Sequence, residues 1–405
     1  MNPWFASRRA RGDNPAVPNL GILDRLVINV CQDCNLRCRY CYAEGGGYGG
    51  PRRSLTVGRA RTVADYFLDA FGEIRLVQYF GGEPFLATEV IDRTCDHIHD
   101  RCSREGRHPP RFAVVTNGTR IDDRALDVIQ RHAITVTVSL DGPQEIHDSL
   151  RVTAGGRGTF ASVLVAIRRM KERTGQPSQV EGTFTALHLE RSFSLVGFMD
   201  FLARDLDVHA LHMPWILGDR CNGCGIRPDV ANVQELLRIF GEGVDRSFQS
   251  LDGPDLEGAI LLSIVERRLR APRQFGSEVC LLCGAGSGTL SVATDGRIYP
   301  CFMFTNQRDL CLGRIDTTGP ATLKRRRRRF VEALRLPAGS SIPVLGCAGV
   351  CHDQTGEVNR CLAAESWLGE RLETRIDAHQ SAARQDPERW EWLQVKTRLI
   401  GALVG

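Results

Sequence analysis

Short β-branched runs alternate with longer amphipathic stretches between about residue 25 and residue 247. The predicted strands are Arg25–Val30, Arg75–Phe80, Phe112–Thr116, Ile134–Ser139, Val180–Thr185 and Val208–Trp215. Helical periodicity fills the intervals and follows the last strand, over Val57–Phe71, Glu89–Ser103, Asp122–Arg131, Thr159–Thr174, Phe193–Ala203 and Val233–Phe248. Strands separated by helices of this length predict parallel βαβ units. Six such units are too few for a closed eight-strand barrel, so we expect an open α/β architecture.

The loop after the first predicted strand carries three cysteines. Cys34, Cys38 and Cys41 stand in the order C-x3-C-x2-C. Three thiolates bind three irons of a [4Fe–4S] cube, whereas a cube held entirely by protein needs four. The spacing therefore predicts a cluster with one iron open to a further ligand. A ferredoxin run has a different order, and a zinc site built from two C-x2-C pairs has more residues between the pairs. Cys31 ends an apolar run and is interpreted as a packed small residue.

Composition narrows the class of protein. The net charge of +4, from 52 basic and 48 acidic residues, gives no reason to expect a nucleic-acid partner. Fifteen cysteines in uneven clusters fit iron–sulfur ligation better than the disulfides of a small secreted domain. The sequence has no signal-peptide core and no run of membrane-spanning length, so we expect a cytoplasmic protein without a membrane partner. The basic run Lys324–Arg329 is interpreted as a solvated helix face.

The ends of the predicted strands carry further candidates, because sites in such folds lie at the carboxyl ends of the strands. The second strand ends in Gly81, Gly82 and Glu83. Glycines let a ligand approach the backbone, and a carboxylate accepts hydrogen bonds from an ammonium group. The third and fourth strands end in TNGT at 116–119 and SLDGP at 139–143. Taken alone, Ser139 and Asp141 also fit the cap of a helix or turn.

Together these motifs resemble those of the radical S-adenosylmethionine (SAM) superfamily. The resemblance implies a partial (β/α)6 barrel of the TIM type, in which the open iron chelates the amino and carboxylate groups of SAM. The implied SAM contacts are Tyr40 near the adenine, Gly81, Gly82 and Glu83 at the amino group, Ser139, and Arg151 near the carboxylate. Asp141 and Asn117 are expected to be structural.

A second group of motifs begins at Cys280. Cys283, twelve residues, Gly296, four residues and Cys301 resemble the opening of the SPASM extension, a C-terminal domain that carries auxiliary [4Fe–4S] clusters. Asp295 and Gly296 predict a two-residue hairpin turn between the strands Thr289–Ala293 and Arg297–Pro300. The region is therefore expected to form a small cysteine-rich α+β extension.

The resemblance implies one complete auxiliary cluster, held by Cys280, Cys283, Cys301 and Cys351. A second cluster would need a cysteine pair whose places Ala338 and Ser341 occupy, which leaves only Cys347 and Cys361. It would form only if Cys311 or the Cys221-x2-Cys224 loop supplied substitute ligands. Cys221 and Cys224 also fit a redox pair or reduced bystanders. Cys95 and Cys102, at helical spacing, are interpreted as core or surface thiols.

The expected domains are an N-terminal arm over 1–24, the partial barrel over 25–250, a helical linker over 251–279, the SPASM-like domain over 280–365 and a C-terminal helical segment over 366–405. By resemblance, an external donor such as flavodoxin or ferredoxin supplies an electron that cleaves SAM. The 5′-deoxyadenosyl radical then abstracts a hydrogen from an unactivated carbon of the substrate.

Three functional hypotheses follow. The leading substrate is a ribosomally made peptide that becomes crosslinked, thioether-bridged or epimerised, because CYAEGGGYGGP at 41–51 resembles peptide-modifying relatives. The alternative is a sugar, aminocyclitol or nucleoside that is oxidised, epimerised or given sulfur. The short segment before the first strand, too short for a peptide-leader-binding domain, and the incomplete second cluster site favour this alternative. A non-enzymatic iron–sulfur carrier would not need three motifs at strand ends. Sulfatase maturation is disfavoured because Phe302 stands where those relatives place an aspartate base.

Overall fold

The structure is a computed structural model that describes residues 20–218, 223–252, 255–270, 284–334, 347, 352, 356–358 and 362–404. Its strands are β1 (Ile22–Leu23), β2 (Arg25–Cys31), β3 (Glu73–Ile74), β4 (Leu76–Gly81), β5 (Arg111–Thr116), β6 (Thr135–Ser139), β7 (Gln179–Glu181), β8 (Ala210–His212), β9 (Leu261–Leu262), β10 (Thr289–Val292), β11 (Arg297–Tyr299) and β12 (Gly313–Arg314). Among these residues, no helix has the length and apolar character needed to span a membrane.

The helices are α1 (Val57–Ala70), α2 (Thr88–Arg104), α3 (Asp123–Arg131), α4 (Gln144–Leu150), α5 (Phe160–Thr174), α6 (Ala186–Glu190), α7 (Leu195–Asp205), α8 (Val230–Gln249), α9 (Ser263–Arg270), α10 (Pro320–Ala333), α11 (Ala363–Arg384) and α12 (Pro387–Val404). Short 3₁₀ helices cover Pro84–Ala87, Phe302–Phe304 and Arg308–Leu310. The predicted barrel helices agree with these bounds to within a few residues.

One ten-stranded sheet organises the molecule, in the order β12-β11-β10-β2-β4-β5-β6-β7-β8-β9. The neighbours from β10 through to β9 are parallel, and β11 and β12 add antiparallel pairs at one edge. Within the described residues the edge strands β9 and β12 do not pair, so the barrel is open. This confirms the predicted α/β partial barrel. The parallel part of the sheet is longer than the six predicted units, because β10 adds to it beside β2 and β9 adds to it beside β8.

The fifth and sixth strands are shorter than predicted. The sequence pattern predicts Val180–Thr185 for the fifth, but β7 ends at Glu181. The backbone amide of Gly182 still donates to the His212 oxygen at 2.9 Å, whereas that of Thr183 donates to Asp141 Oδ1 at 3.0 Å. The side chain of Asp141, just after β6, therefore takes the place of a ladder partner on that side. On the other side Phe184 and Trp215, both within the predicted strands, still form an isolated parallel bridge.

The predicted hairpin is present as the antiparallel pair β10–β11, but its turn is longer than two residues. Ala293 N donates to Arg297 O at 2.9 Å, and Gly296 N donates to Ala293 O at 2.9 Å. The loop is therefore the three residues 294–296. Gly296 has φ +83°, and a left-handed glycine at this place is typical of three-residue hairpin loops.

The interpretation of Lys324–Arg329 as a solvated face is wrong at one position. Arg327 on α10 is fully buried. Its guanidinium donates to four main-chain oxygens, those of Leu20, Ile22, Gly286 and Ser287. The group also lies 5.3 Å from the ring centroid of Phe71. Arg327 thus joins the start of the described chain, α1 and the segment before β10.

Candidate functional site

The loop after β2 brings Cys34, Cys38 and Cys41 together at the carboxyl edge of the sheet. The three thiols are partly exposed and lie close enough to influence one another electrostatically. Two main-chain amides point at sulfur: Leu36 N lies 3.4 Å from Cys34 Sγ, and Gly45 N lies 3.4 Å from Cys41 Sγ. Hydrogen bonds to sulfur are one of the means by which proteins tune iron–sulfur clusters.

The surroundings of these cysteines suit thiolates bound to a metal cluster better than free thiolates. Burial raises the pKa of Cys34 to about 12 and that of Cys38 to about 11. Metal ligands must be deprotonated, so a cation has to stabilise thiolates here, and iron supplies that charge. In the described part of the chain no three His, Cys, Asp or Glu side chains are placed to hold a single metal ion. The arrangement fits a [4Fe–4S] cube with three protein ligands, which each bind a different iron.

Gly81 and Gly82 let the cysteine loop lie directly against the end of β4. A Cβ on Gly82 would stand 2.0 Å from the Asp33 oxygen, and one on Gly81 would stand 2.1 Å from the Cys31 oxygen. Gly82 N donates to Cys31 O at 2.7 Å, and Glu83 N donates to Asp33 O at 2.9 Å. The two glycines therefore have a packing role beside their implied SAM contact, which stays a prediction.

Glu83 is fully buried, and its carboxylate accepts three hydrogen bonds. Phe85 N and Thr116 Oγ1 donate to Oε1 at 3.0 and 2.8 Å, and Asn117 N donates to Oε2 at 2.8 Å. Burial raises the pKa of Glu83 although these bonds oppose the rise. An ionised carboxylate has about four acceptor sites. Donors of the fold thus use most of this capacity, and the contact of Glu83 with the SAM ammonium group stays a prediction.

Tyr40, Asp141 and Arg151 form a buried group under the cysteine loop. The Tyr40 hydroxyl donates to both Asp141 oxygens, and the Arg151 guanidinium lies 5.4 Å from the Tyr40 ring centroid. Arg151 Nε lies 3.1 Å from Asp141 Oδ2, although its N–H is not well directed for a hydrogen bond. Burial alone would raise the pKa of Asp141, but Arg151 and the other neighbours hold it below its usual range. Asp141 is therefore structural, as expected.

Asn117 anchors the loop from the next strand. Its Nδ2 donates to Asn35 Oδ1 at 3.0 Å and lies 3.6 Å from Cys34 Sγ. Asn35 in turn donates to Thr119 Oγ1 at 2.7 Å. The TNGT motif thus positions the cysteine loop, in agreement with the structural role expected of Asn117.

Sequence reasoning missed a polar row across three strands. Ser139 pairs with Glu181, and Glu181 pairs with His212, at the ends of β6, β7 and β8. Strand side chains alternate between faces. The preceding residues Val138, Val180 and Leu211 lie in the core beneath the helices, so the polar row faces the inside of the barrel.

The row presents two titratable groups to the barrel interior. Burial raises the pKa of Glu181, whose carboxylate has no hydrogen-bond partner among the described residues. Burial lowers the pKa of His212 to about 3, and its Nδ1 lies 2.6 Å from Ser263 Oγ. The alternation in the short runs QVE and ALH was the only available signal, because the register between strands is not readable from sequence.

The segment after the hairpin lies against the carboxyl ends of β2 and β4, next to the cysteine loop. Phe302 packs on Phe80 with ring centroids 4.4 Å apart, and Asn29 Nδ2 donates to Thr305 Oγ1 at 3.2 Å. Cys301, a predicted auxiliary ligand, is partly exposed at the start of this segment. The other implied ligands and their neighbours in the pattern lie outside the described residues, namely Cys280, Cys283, Cys351, Cys361, Ala338, Ser341 and Cys221. Cys224, Cys311 and Cys347 are described and partly exposed.

The remaining cysteines behave as interpreted. Cys31 is 1% exposed, and its sulfur lies 3.2 Å from Ser54 Oγ. Cys95 and Cys102 are buried in the core on α2. None of these three cysteines is counted among the candidate cluster ligands of the cysteine loop.

Comparison with known proteins decides the family of this region. The family model of the Radical SAM superfamily matches residues 28–189, a range that holds the cysteine loop and the motifs at the ends of β4, β5 and β6. The chain contains a radical SAM domain. A radical SAM domain implies SAM and a [4Fe–4S] cluster as cofactors, and the cysteine loop described above fits that cluster.

Relatives of the radical SAM domain cover different parts of the chain. An uncharacterised protein of Methanocaldococcus jannaschii is 30% identical over 149 residues, which are 37% of this chain and 49% of that protein. The antilisterial bacteriocin subtilosin biosynthesis protein AlbA of Bacillus subtilis is 23% identical over 286 residues, 68% of this chain and 54% of its own length. The chain thus spans about half the length of these two curated relatives.

The fold likeness extends beyond the radical SAM domain. The solved structure of native anSMEcpe with bound AdoMet and Cp18Cys peptide superposes with a TM-score of 0.71 at 18% identity. The superposition covers 89% of this chain and 99% of that chain. The two proteins therefore share a fold, including the region that follows the barrel.

Proposed function

We propose that this protein is an enzyme that cleaves SAM reductively and abstracts a hydrogen from an unactivated carbon of a ribosomally made peptide. The observation that carries the proposal is the placement of Cys34, Cys38 and Cys41 at the carboxyl edge of the barrel, beside the ends of β4, β5 and β6. A three-thiolate cube and the groups for a SAM molecule would then share one edge.

Each implied SAM contact has chemistry suited to its role. Glu83 supplies a carboxylate for the SAM ammonium group, and Arg151 supplies a guanidinium for the SAM carboxylate. Ser139 ends β6 on the inner face, and Tyr40 lies in the loop itself. Bound SAM and cluster would supply a 5′-deoxyadenosyl radical. The contribution of the chain is to orient SAM and substrate and to exclude water.

The peptide substrate rests on the relatives. AlbA is named for biosynthesis of the bacteriocin subtilosin, and the anSMEcpe structure holds a peptide beside AdoMet. These favour a peptide over a sugar, aminocyclitol or nucleoside. The inner row of Ser139, Glu181 and His212 offers polar contacts to the reacting residue of that peptide.

The proposal also includes an auxiliary cluster, an electron donor and a cellular location. Cys280, Cys283, Cys301 and Cys351 hold one auxiliary [4Fe–4S] cluster in a SPASM-like domain over 280–365. Flavodoxin or ferredoxin supplies the electron. The cytoplasm is the proposed location, because cluster thiolates require a reducing compartment.

The test is to incubate anaerobically reconstituted protein with SAM, a reductant and the short peptides encoded beside its gene, and to measure intact peptide masses. A crosslink or thioether appears as a loss of two hydrogens, and epimerisation in D2O appears as the gain of one deuterium at carbon. Protein lacking Cys34, Cys38 and Cys41 is the control. Turnover of a sugar or nucleoside with unchanged peptides would overturn the peptide assignment.

A further inference from the structure

The chain just after Cys41 forms a compact turn over residues 43–50 that lies on the glycine motif at the end of β4. Gly46 N and Tyr48 N both donate to the Ala43 oxygen at 2.9 Å, which closes the turn. A Cβ on Gly46 would stand 2.7 Å from Gly82 Cα. Gly45 N lies 3.4 Å from Cys41 Sγ. The conformation of this turn therefore determines how the chain meets both a candidate cluster ligand and a predicted SAM contact.

The turn is unfavourable to order by itself. Five of its eight residues are glycines, which lose more conformational freedom on folding than any other residue. Glu44 and Tyr48 have φ +50° and +53°, in the left-handed region that such side chains disfavour. Contacts from elsewhere in the chain are therefore needed to select this conformation.

Asn306 supplies such a contact from the segment after the hairpin. Its Nδ2 donates to the Tyr48 oxygen at 2.7 Å and to the Gly47 oxygen at 3.4 Å. Asn306 has φ +67°, a conformation that asparagine adopts more readily than most residues. One side-chain amide therefore fixes two consecutive carbonyl groups of the turn.

The segment that carries Asn306 is anchored to the strands that lead into the site. Asn29 Nδ2 on β2 donates to Thr305 Oγ1 at 3.2 Å, and the rings of Phe302 and Phe80, on β4, have centroids 4.4 Å apart. Strand β2 leads into the cysteine loop and β4 leads into Gly82. Asn306 thus holds the turn in a fixed relation to both.

We propose that Asn306 is a positioning residue of the SAM site, whose side-chain amide holds the turn at 43–50 on Gly82 and thereby raises the affinity for SAM. The inference rests on the proposed function, in which the SAM amino group lies at Gly81, Gly82 and Glu83. Asn306 is outside residues 28–189, the range that the radical SAM family model matches. The segment after the hairpin thus completes a site whose other residues belong to the matched domain.

The test uses Asn306→Asp in the full-length, anaerobically reconstituted protein. Aspartate keeps the shape of the side chain but presents an acceptor, in place of a donor, to two carbonyl oxygens. We expect the Kd for SAM, measured by equilibrium dialysis, to rise about tenfold. The KM for SAM in 5′-deoxyadenosine formation should rise by a similar factor, with kcat within about twofold of wild type. Iron content should be unchanged.

Hydrogen exchange reports on the turn without any turnover. In the absence of SAM, the main-chain amides of residues 43–50 should exchange about tenfold faster in Asn306→Asp than in wild type. Asn306→Gly is a second variant, which removes the amide without adding a charge and accepts the positive φ. Its Kd for SAM should rise about fivefold, and exchange at 43–50 should again be faster.

Asn232→Asp is the matched control. Asn232 Nδ2 also donates to a main-chain oxygen, that of Arg227 at 3.0 Å, but it lies in the first turn of α8. The same change of amide to carboxylate at this place should leave SAM affinity and the exchange of residues 43–50 as in wild type.

Three results would overturn the inference. Wild-type SAM affinity in both Asn306 variants, with faster exchange, would show that the turn does not serve SAM binding. Wild-type exchange at 43–50 would show that Asn306 does not hold the turn, and loss of iron from both variants would assign Asn306 to retention of the cluster. Wild-type protein that forms no 5′-deoxyadenosine would instead refute the proposed function itself, so the two failures are distinguishable.

Discussion

The Tyr40 hydroxyl lies 2.9 and 2.7 Å from the two carboxylate oxygens of Asp141. This contact fixes the cysteine loop after β2 to the end of β6, on the far side of β4 and β5 in the sheet. Arg151 pairs with the same carboxylate, and main-chain bonds from Arg37 to Val152 and from Arg39 to Leu150 add to it. The spacing of the three thiols is thus set by buried groups and does not depend on the loop alone.

Two replacements of Glu83 separate its contribution to stability from its predicted contribution to SAM binding. Glu83→Ala leaves three buried donors without an acceptor, each at about 1–3 kcal/mol, so the urea midpoint should fall along with SAM affinity. Glu83→Gln keeps the shape but loses the charge, so SAM affinity measured by equilibrium dialysis should fall while iron content is retained. Wild-type SAM affinity in Glu83→Gln would mean that the carboxylate serves the fold only.

Arg327 is expected to be the most costly position in the basic run. Arg327→Leu leaves four main-chain oxygens unpaired in the interior, and we expect a loss of about 3 kcal/mol or more in the free energy of unfolding. Arg328→Leu, at the exposed neighbouring position, should change it by less than about 0.5 kcal/mol. Equal urea midpoints for the two variants would contradict the assigned role.

The buried His147 should make stability depend on pH. Its ring contacts Asp141 N at 3.3 Å and Thr159 Oγ1 at 3.0 Å, and burial lowers its pKa to about 4, against about 6.5 in an unfolded chain. Between these values the unfolded state binds a proton that the folded state does not, so stability falls as the pH drops through this window. Between pH 7.5 and 5.5 the loss should be about 1 kcal/mol, by the rule of about 1.4 kcal/mol per pKa unit.

Urea unfolding of wild type and His147→Gln at the two pH values measures this contribution. The glutamine does not titrate, so the decrease in stability between pH 7.5 and 5.5 should be smaller by about 1 kcal/mol in the variant. An identical decrease in both proteins would show that His147 is not responsible.

Iron content tests the assignment of the cysteines in the C-terminal region. Two [4Fe–4S] clusters amount to about eight irons per chain, and the triple change of Cys34, Cys38 and Cys41 to Ala should leave about four. Replacing Cys347 or Cys361 should not alter iron content. About twelve irons in wild type, with about four lost on either of those replacements, would mean that a second auxiliary cluster exists.

The sequence predicted the parts of this molecule that local patterns encode. The alternation of strand and helix periods predicted the open barrel, and the spacing of Cys34, Cys38 and Cys41 predicted the cysteine loop. Long-range pairings were not readable: β10 joins β2 in parallel, and the row from Ser139 to His212 exists only through strand register. Arg327 was predicted to be solvated because the basic run Lys324–Arg329 does not indicate which of its guanidinium groups is buried.

The most direct measurement of the central claim is 5′-deoxyadenosine formed from SAM by the reconstituted, dithionite-reduced protein. Wild type should form it. Cys34→Ala, Cys38→Ala and Cys41→Ala should each abolish it, because each removes a ligand from a cube that already has only three. Cys31→Ala should retain most of the activity, because Cys31 is a buried, packed thiol and is not one of the three candidate cluster ligands. Equal loss in Cys31→Ala, or 5′-deoxyadenosine from any of the three loop variants at the wild-type rate, would contradict the account.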